Sequence, residues 1–310
     1  MTLMTPERIN QIIQGLQTNP DNYQVLERIP YTLINEQTPL PIRFYPLQGD
    51  EIPLVILDTE TTGLKAESDH IIELAMLKVL YSPKLSRIVQ IDSMFDQYED
   101  PGVSITPIIT KITGITNEMV HAQHIDDNVV GEFVLNGNPQ GVVPIIVAHN
   151  AQFDRKFMDK RFECLEKLPW ACSINDVNWS SLGFGSSKQE LIAYKLGYFY
   201  EAHRAITDTL ALTFILNAVP KSLENIMTNV KRKTYSMEIF NSFSVKDDLK
   251  KRGFSWNNNN KSWAKVNLSE KEKDEIYAFL QDNNFDDNNI NMVAIDASER
   301  YGFNDIVIKK

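Results

Sequence analysis

Apolar and polar positions divide the 310-residue chain into regions with different patterns. Residues 1–48 begin with apolar residues at helical spacing and continue in proline-containing extended segments, so we interpret them as an N-terminal appendage. Residues 49–220 carry longer apolar stretches and form the predicted main domain. Residues 221–235 are mostly polar and predict a linker, and residues 236–310 predict a small C-terminal module.

Within the main domain, three apolar stretches separated by turns predict an antiparallel meander of strands near residues 54–57, 71–79 and 87–94. Helices are then predicted near residues 108–120, 128–135, 151–164, 189–196 and 205–217, with a further strand at residues 145–148. Three strands followed by alternating helix and strand are typical of an α/β fold whose mixed sheet is flanked by helices.

The C-terminal module has the pattern of a short α+β unit. The sequence predicts a helix near residues 245–252, strands through Trp256 and Trp263, a charged helix at 269–281 and a last strand at 292–295. Asparagines tolerate left-handed backbone angles, so the four at residues 257–260 predict the turn of a hairpin.

The composition excludes several classes of protein. The chain is 43% hydrophobic and can bury a sizeable core, yet no stretch approaches the roughly 18 apolar residues of a membrane span. Its N-terminus is charged too early for a secretory signal, so we expect a cytoplasmic protein that does not bind membranes. The two cysteines, Cys164 and Cys172, have no second pair to complete a zinc site and are interpreted as packing residues.

The net charge of −10 argues against a protein that coats long duplex DNA, because such proteins neutralise phosphates with Lys and Arg. It does not exclude a nucleic-acid enzyme, since cations held by an acidic site cancel part of that charge. Residues 221–280 hold twelve basic and eight acidic side chains. This part of the chain is therefore net positive, while the rest is acidic.

Two carboxylates follow the first predicted strand of the main domain. Asp58 and Glu60 are two residues apart, so on an extended backbone both project from the same face. Two like charges about 4 Å apart repel by roughly 4 kcal/mol at an effective dielectric constant of about 20. Carboxylate oxygens are the ligands that Mg²⁺ or Mn²⁺ prefers, so a divalent cation would relieve this repulsion.

Further polar groups lie near the starts of two later helices. Asp154 falls in the first turn of a helix, where a carboxylate also simply suits the helix dipole. His203 and Asp208 are five residues apart, and both can face one site only if His203 lies in the loop before its helix. Taken singly, each of these residues has an ordinary structural explanation.

Four segments in this order resemble the signature motifs of the DEDDh exonucleases, a family that includes the proofreading epsilon subunit of bacterial DNA polymerase III, ribonuclease T and oligoribonuclease. They are LDTETTGL at residues 57–64, ITGIT at 112–116, AHNAQFD at 148–154 and HRAITDT at 203–209. The resemblance covers residues 52–218. The five functional positions carry the expected residue types, namely Asp58, Glu60, Asp154, His203 and Asp208.

This resemblance implies a ribonuclease-H-like fold and two divalent cations, Mg²⁺ or Mn²⁺, held by Asp58, Glu60, Asp154 and Asp208. It implies that Asp58 bridges both cations, that Glu60 and Asp208 complete the site of the attacking water, and that Asp154 supports the second ion. His203 would accept the proton of that water, which suits a side chain type that titrates near neutral pH. The products would be nucleoside 5′-monophosphates.

The resemblance also implies a pocket for the terminal nucleotide. Its residues would be Thr61, Thr62, Gly63, Leu64, Ile115, Asn150 and Phe153, with Leu64 wedged against the base. Ordinary turn and packing roles remain the alternative for these residues. Apolar and aromatic contacts of this kind tolerate any base, which favours a single-stranded or frayed 3′ end as the nucleic-acid partner.

The C-terminal module resembles one found in a group of stand-alone bacterial exonucleases. Its basic and aromatic residues Lys250, Arg252, Trp256 and Trp263 could hold a nucleic-acid strand by charge and stacking. The module could instead bind a protein partner, and its tryptophans could serve its own core.

The sequence thus predicts a metal-dependent 3′-to-5′ exonuclease, and the spelling of the motifs favours DNA over RNA. Two alternatives remain. One is an exonuclease that trims RNA or short oligonucleotides. The other is a catalytically silent nuclease fold that serves as a binding module, for which at least one missing ligand would be expected.

Overall fold

The structure, a computed structural model, describes residues 5–29, 39–139, 141–258 and 260–302. Parts of the predicted appendage and module, at residues 1–4, 30–38 and 303–310, and residue 259 of the predicted turn lie outside these ranges. Within the described ranges, the helices are all too short or too polar to cross a lipid bilayer.

The chain alternates helices and strands, joined by turns and short 3₁₀ segments. The helices are α1 (Pro6–Thr18), α2 (Pro107–Thr113), α3 (Asn117–Val120), α4 (Asp127–Leu135), α5 (Ala151–Arg161), α6 (Gln189–Lys195), α7 (Ala205–Ala218), α8 (Pro220–Lys231), α9 (Lys246–Lys251) and α10 (Glu270–Asp282). The strands are β1 (Glu27–Arg28), β2 (Ile42–Arg43), β3 (Ile52–Thr61), β4 (Ile71–Ser82), β5 (Arg87–Tyr98), β6 (Ile145–Ala148), β7 (Trp170–Cys172), β8 (Tyr198–Phe199), β9 (Thr234–Ile239), β10 (Ser255–Asn257), β11 (Ser262–Leu268) and β12 (Ile290–Ile295).

A six-stranded mixed sheet with the order β2-β5-β4-β3-β6-β7 forms the centre of the main domain. Strands β3, β4 and β5 are antiparallel neighbours, as the meander predicted, while β6 and β7 add in parallel beside β3. Helices cover both faces of this sheet. The predicted α/β fold with a mixed sheet flanked by helices is therefore confirmed.

The two faces of β3 pack against different helices because side chains alternate along a strand. Leu54 and Ile56 point into a core shared with Leu210 of α7. Val55 and Leu57 point into a second core shared with Phe157 of α5. The polar residues at the end of β3 continue this alternation. Asp58 and Glu60 therefore lie on the face that packs against α7, and Thr59 lies on the face that packs against α5.

Most of the stretch predicted as a linker, residues 221–235, is helical. Helix α8 buries Leu223, Ile226 and Met227 in the core beneath the central sheet. Together with Val230 these residues repeat at the spacing of one helix face, a pattern that the polar composition of the stretch conceals. The limits of the predicted domains remain a prediction.

Two other predicted elements differ from the structure. The helix predicted at residues 108–120 is divided into α2 and α3, because Gly114 ends α2 in the left-handed conformation with φ of 74°. Parts of the predicted N-terminal appendage join sheets of the main domain: β1 pairs with β8, and β2 pairs with β5.

The C-terminal module contains a four-stranded antiparallel sheet of order β10-β11-β9-β12, with α9 and α10 packed on one face. Strands β10 and β11 form the predicted hairpin, with Trp256 opposite Trp263. Glu238 of β9 is buried and accepts hydrogen bonds from Asn257, Asn260 and Ser262. These bonds hold the asparagine-rich turn against the sheet.

After β12 the chain returns to the main domain in a segment that we call the strap, residues 296–302. The backbone oxygen of Ala297 accepts a hydrogen bond from the backbone nitrogen of Trp170 at 2.8 Å. The guanidinium of Arg155, in α5, donates to the backbone oxygens of Ser298 and Arg300. The Tyr301 hydroxyl donates to the Asp176 carboxylate at 2.9 Å. The strap therefore joins the module to the helix that carries Asp154.

Candidate active site

Three carboxylates meet where the end of β3 faces the start of α7. Asp58 and Glu60 lie on the face of β3 that packs against α7, and Asp208 lies in the first turn of that helix. Each offers an oxygen, and these oxygens lie within 4.8 Å of one another. They line a cleft of about 560 Å³ that also receives the predicted residues Asp154 and His203. The structure thus brings all five predicted catalytic positions to one cleft.

Asp154 approaches the cleft from the other face of the sheet. It lies in the first turn of α5 and is buried. Thr59 alternates with Asp58 and Glu60 along β3, and it donates to Asp154 Oδ1 from its backbone nitrogen at 3.1 Å and from its hydroxyl at 2.8 Å. Because one carboxylate oxygen is held in this way, Asp154 stands apart from the group of three that lies within 4.8 Å among the described residues.

His203 lies in the loop before α7, as the spacing from Asp208 requires. Its backbone has φ of 67°, in the left-handed region, and its backbone nitrogen donates to Asp208 Oδ2 at 2.8 Å. The backbone nitrogen of Arg204 donates to the same oxygen at 3.2 Å. Asp208 therefore fixes the backbone that carries the imidazole.

The acidic groups share an environment that disfavours their charged forms. Burial, reinforced by the charges of the other carboxylates, raises the pKa of Asp58 well above its ordinary value and that of Glu60 to about 8. Burial also raises the pKa of Asp154 to about 7 and that of Asp208 to about 6. For Asp154 and Asp208, hydrogen bonds from Thr59 and from the His203 loop oppose part of this effect.

These residues fit divalent cations. Buried carboxylates that repel one another are stable in their charged forms only beside positive charge, and all the ligand atoms that they offer are hard oxygens. The sequence prediction of a metal site at these positions thus matches an acidic cluster in the structure.

A second cleft, of about 220 Å³, adjoins the first. Leu64, Asn150 and Phe153 line it together with Phe157. Asn150 and Phe153 also line the acidic cleft, so the two clefts share these residues as a common wall. Leu64 is 84% exposed, although it is a large apolar residue. Three of the predicted nucleotide contacts therefore line one cleft of mixed polar and apolar character beside the acidic group.

The loop that carries Leu64 is fixed by its neighbours. Thr61 is buried, and its hydroxyl donates to the Gly63 backbone oxygen at 2.6 Å. Thr62 exchanges hydrogen bonds with His70 at 2.9 and 3.0 Å. A Cβ atom at Gly63 would lie only 2.5 Å from an oxygen of Asp69, so this position accepts no side chain without rearrangement.

The structure does not bring Ile115 to either cleft. Its side chain is fully buried and packs with Ile72, Ile105 and Val120. The physical reason is that an apolar residue beside a motif serves a core as readily as a pocket, and the sequence pattern does not distinguish the two roles.

The four predicted accessory residues belong to the C-terminal module. Lys250 is exposed at the end of α9, and the Arg252 guanidinium stacks on Phe279 at 4.2 Å from the ring centroid. Trp263 packs on the core of the module, whereas Trp256 is 47% exposed and lies with its ring centroid 5.7 Å from that of Trp263. The tryptophans therefore divide between core and surface.

Sequence reasoning missed several residues of the site. His149 and Gln189 line the acidic cleft, and Gln189 donates to Asp208 Oδ1 at 3.3 Å. Burial lowers the pKa of His149 to about 4, so this histidine is neutral at pH 7. Glu73 and Arg204 form an ion pair behind the cleft. The available signal for Glu73 was its position as a charged residue inside an apolar strand.

A family model described as exonuclease matches residues 55–216, which is just over half of the chain. The chain belongs to this exonuclease family, a class of hydrolases, and the resemblance to the DEDDh 3′-to-5′ exonucleases is confirmed at the level of the family. The matched range ends within α7 and contains every residue of the acidic cleft.

Similar proteins include the PolC-type DNA polymerase III of Clostridium perfringens, 31% identical over 231 residues, and that of Latilactobacillus sakei, 31% identical over 158 residues. The matches cover 73% and 48% of this chain but only 15% and 10% of the length of those polymerases. Among solved structures, a full-length 3′-exonuclease matches with a TM-score of 0.44 at 17% identity, covering 59% of this chain and 62% of that one. Exonuclease X in complex with 5′ overhanging duplex DNA matches with a TM-score of 0.38 at 24% identity, covering 56% and 96%.

Proposed function

We propose that this protein is a two-metal-dependent 3′-to-5′ exonuclease that removes nucleoside 5′-monophosphates from single-stranded or frayed 3′ ends of DNA. The observation that carries the proposal is the convergence of Asp58, Glu60 and Asp208 within 4.8 Å in a cleft that also contains His203. Family membership supports the class of reaction.

Asp58, Glu60, Asp154 and Asp208 would hold two divalent cations, Mg²⁺ or Mn²⁺. When bound, such ions stabilise the charge that develops on the attacking and leaving oxygens of a phosphodiester. The raised pKa values of these carboxyls mean that the residues release protons as they take up cations, which couples metal affinity to pH.

The other side chains of the two clefts would accept a proton and bind the terminal base. His203 would accept a proton from the attacking water, because its ring lines the cleft and its backbone is held by Asp208. Leu64 and Phe153 would pack against the terminal base without reading its identity. A base must leave a duplex to reach this apolar space, so a frayed or single-stranded end is the preferred substrate.

DNA is proposed as the substrate because the similar proteins are DNA polymerases. RNA is the competing substrate, since a base-stacking pocket alone does not distinguish the two sugars. The module at residues 236–310 would assist by holding the strand through exposed Lys250 and Trp256, and a protein partner at this surface is the competing role.

The test is a degradation assay with 5′-labelled oligonucleotides. Matched single-stranded DNA, single-stranded RNA and DNA duplexes with a mismatched 3′ end are incubated with Mg²⁺, Mn²⁺ or a chelator. We expect shortening from the 3′ end, only with metal, fastest on DNA, with 5′-monophosphates as products. A circular single strand should stay intact. Absence of metal-dependent shortening on every linear substrate would refute the proposal.

Asp58→Asn removes one charge from the cluster at nearly constant volume. We expect its turnover number to fall by a factor on the order of 10² to 10³, the usual cost of losing one electrostatic group at a reacting centre. The matched control is Asp282→Asn at the exposed end of α10, which should keep full activity. Wild-type turnover in Asp58→Asn would contradict the metal assignment.

A further inference from the structure

Behind the acidic cleft, a buried carboxylate is joined to the loop that carries His203. Glu73 lies in β4 and is fully buried. It accepts hydrogen bonds from Arg204 Nε at 3.2 Å, from Arg204 Nη2 at 2.9 Å and from the backbone nitrogen of Ala205 at 3.0 Å. One side chain of the sheet therefore holds both the residue after His203 and the first residue of α7.

The backbone at His203 needs such support. A residue other than glycine is strained at φ of 67°, and it keeps that conformation only where its surroundings impose it. On one side, Asp208 accepts the backbone N–H of His203. On the other side, Arg204 is fixed by Glu73. The two carboxylates therefore restrain the loop on both sides of His203.

Two of the three guanidinium nitrogens of Arg204 donate to neighbouring side chains. Its Nε and Nη2 donate to Glu73, and Nη2 also donates to the Tyr98 hydroxyl. The guanidinium carbon lies 5.4 Å from the centroid of the Tyr98 ring. A guanidinium held in this way restrains the backbone of its own residue.

Glu73 also lies directly opposite Glu60 in the register of β3 and β4. Without a partner, its charge would add to the repulsion within the acidic cluster. The Arg204 guanidinium cancels that charge, and it lowers the pKa of Glu60 while Glu73 raises it. The pair thus anchors the loop without adding net charge behind the site.

We propose that Glu73 and Arg204 are positioning residues, which hold the His203 imidazole toward the acidic cluster and so set the rate of the chemical step. This role rests on the proposed exonuclease function. We expect the pair to have little effect on substrate binding, because neither Glu73 nor Arg204 lines the cleft beside Leu64. The position of His203, rather than its presence, is what the pair controls.

The test is a double-mutant cycle. Arg204→Lys keeps the charge but loses the two-pronged contact with Glu73, and it is made in the wild type and in His203→Ala. We expect the kcat of the wild type to fall about 10- to 100-fold with KM nearly unchanged, as a misplaced catalytic group does. In the His203→Ala background the same change should lower kcat less than about twofold, because residues that act as one unit are not additive.

Tyr98→Phe is a milder second variant, since it removes only the hydroxyl that accepts from Arg204. We expect a smaller fall in kcat that also disappears in the His203→Ala background. Arg161→Lys is the matched control, because Arg161 pairs with Glu99 and Asp127 away from α7 and should leave kcat unchanged. Melting temperature and Mn²⁺ affinity by calorimetry are measured for every variant.

Three outcomes would overturn the inference. An equal loss of kcat in both backgrounds would mean that the pair does not act through His203. A rise in KM at constant kcat would indicate a substrate contact, and a loss of Mn²⁺ affinity that accounts for the loss of rate would place the effect on the metal site. A wild type that shortens no substrate would instead refute the proposed exonuclease function. Failure of the positioning role can therefore be told apart from failure of the proposed function.

Discussion

At the scale of single residues, the acidic cluster opposes the stability of the fold that contains it. Carboxyls of the unfolded chain titrate near pH 4. In the folded protein, the pKa of Glu60 is about 8 and that of Asp154 about 7. Between about pH 4, where the unfolded carboxyls titrate, and about pH 8, where Glu60 of the folded protein titrates, the folded state binds more protons than the unfolded state. Raising the pH therefore lowers the free energy of unfolding of the metal-free protein.

The difference in bound protons between the folded and unfolded states predicts how metal and pH together change the melting temperature. From about pH 6 to about pH 8, the melting temperature of the metal-free protein should fall as the carboxyls lose their protons. Mn²⁺ binds only the folded, deprotonated site, so it should raise the melting temperature more at pH 8 than at pH 6. Scanning calorimetry with and without Mn²⁺ measures both trends. An equal rise at the two pH values would contradict the linkage, and Asp58→Asn should flatten the metal-free trend because it removes one repelling charge.

Single residues also show which parts of the candidate site could be predicted from the sequence. Asp58, Glu60, Asp154, His203 and Asp208 were found through their motifs, and the structure brings them to one cleft. Glu73 and Thr59 were missed, because their roles depend on which strand lies opposite and which helix lies behind. Such neighbours are set by the folded sheet rather than by local spacing.

At the scale of elements, the structure differs most clearly from the sequence pattern at α8, where a polar stretch of sequence forms a helix. Its apolar face packs against the main-domain core, so we expect it to contribute to the stability of that domain. Ile226→Ala should lower the free energy of unfolding by about 2–5 kcal/mol, the usual loss for a fully buried isoleucine. Thr228→Ala, on the exposed face of the same helix, should change it by less than about 0.5 kcal/mol.

Urea denaturation of both variants provides the measurement. A flexible linker would give two small and similar changes, so equal stability of the two variants would contradict the assignment of α8 to the core. The reason that the helix escaped prediction is physical. Its polar face dominates its composition, and only the spacing of its few apolar residues marks it as amphipathic.

Strand positions were predicted better than strand lengths. The meander of β3, β4 and β5 follows from three apolar stretches, but each strand extends beyond its apolar part into polar residues that are paired with neighbours. Asp58, Glu60 and Thr61 belong to β3 for this reason. Asp58 and Glu60 therefore lie on paired strand rather than on loop, which fixes their separation.

At the scale of the whole molecule, the strap makes the C-terminal module part of the main domain's stability. Tyr301 is 2% exposed and donates to Asp176, and the Arg300 guanidinium donates to the backbone oxygens of Asn229 and Arg232 at the end of α8. Tyr301→Phe should lower the free energy of unfolding by about 1–3 kcal/mol, because it leaves a buried carboxylate without one donor.

The matched control for the strap is Tyr277→Phe, which removes a hydroxyl from the exposed surface of α10 and should have little effect. Chemical denaturation followed through tryptophan fluorescence reports the loss, since Trp170 lies under the strap. Unchanged stability in Tyr301→Phe would show that the module is held by other contacts. The mixed sheet flanked by helices was predictable from sequence, but the strap was not, because it depends on contacts between residues 125 to 145 positions apart in the chain.

The strap also orders events in time. A chain emerging from the ribosome has β3, α5 and α7 long before it has residues 296–302, so the Arg155 guanidinium beside Asp154 waits for its backbone partners until the module has been made. The helix that carries Asp154 therefore gains its two hydrogen bonds to the strap after the elements of the central sheet have been made.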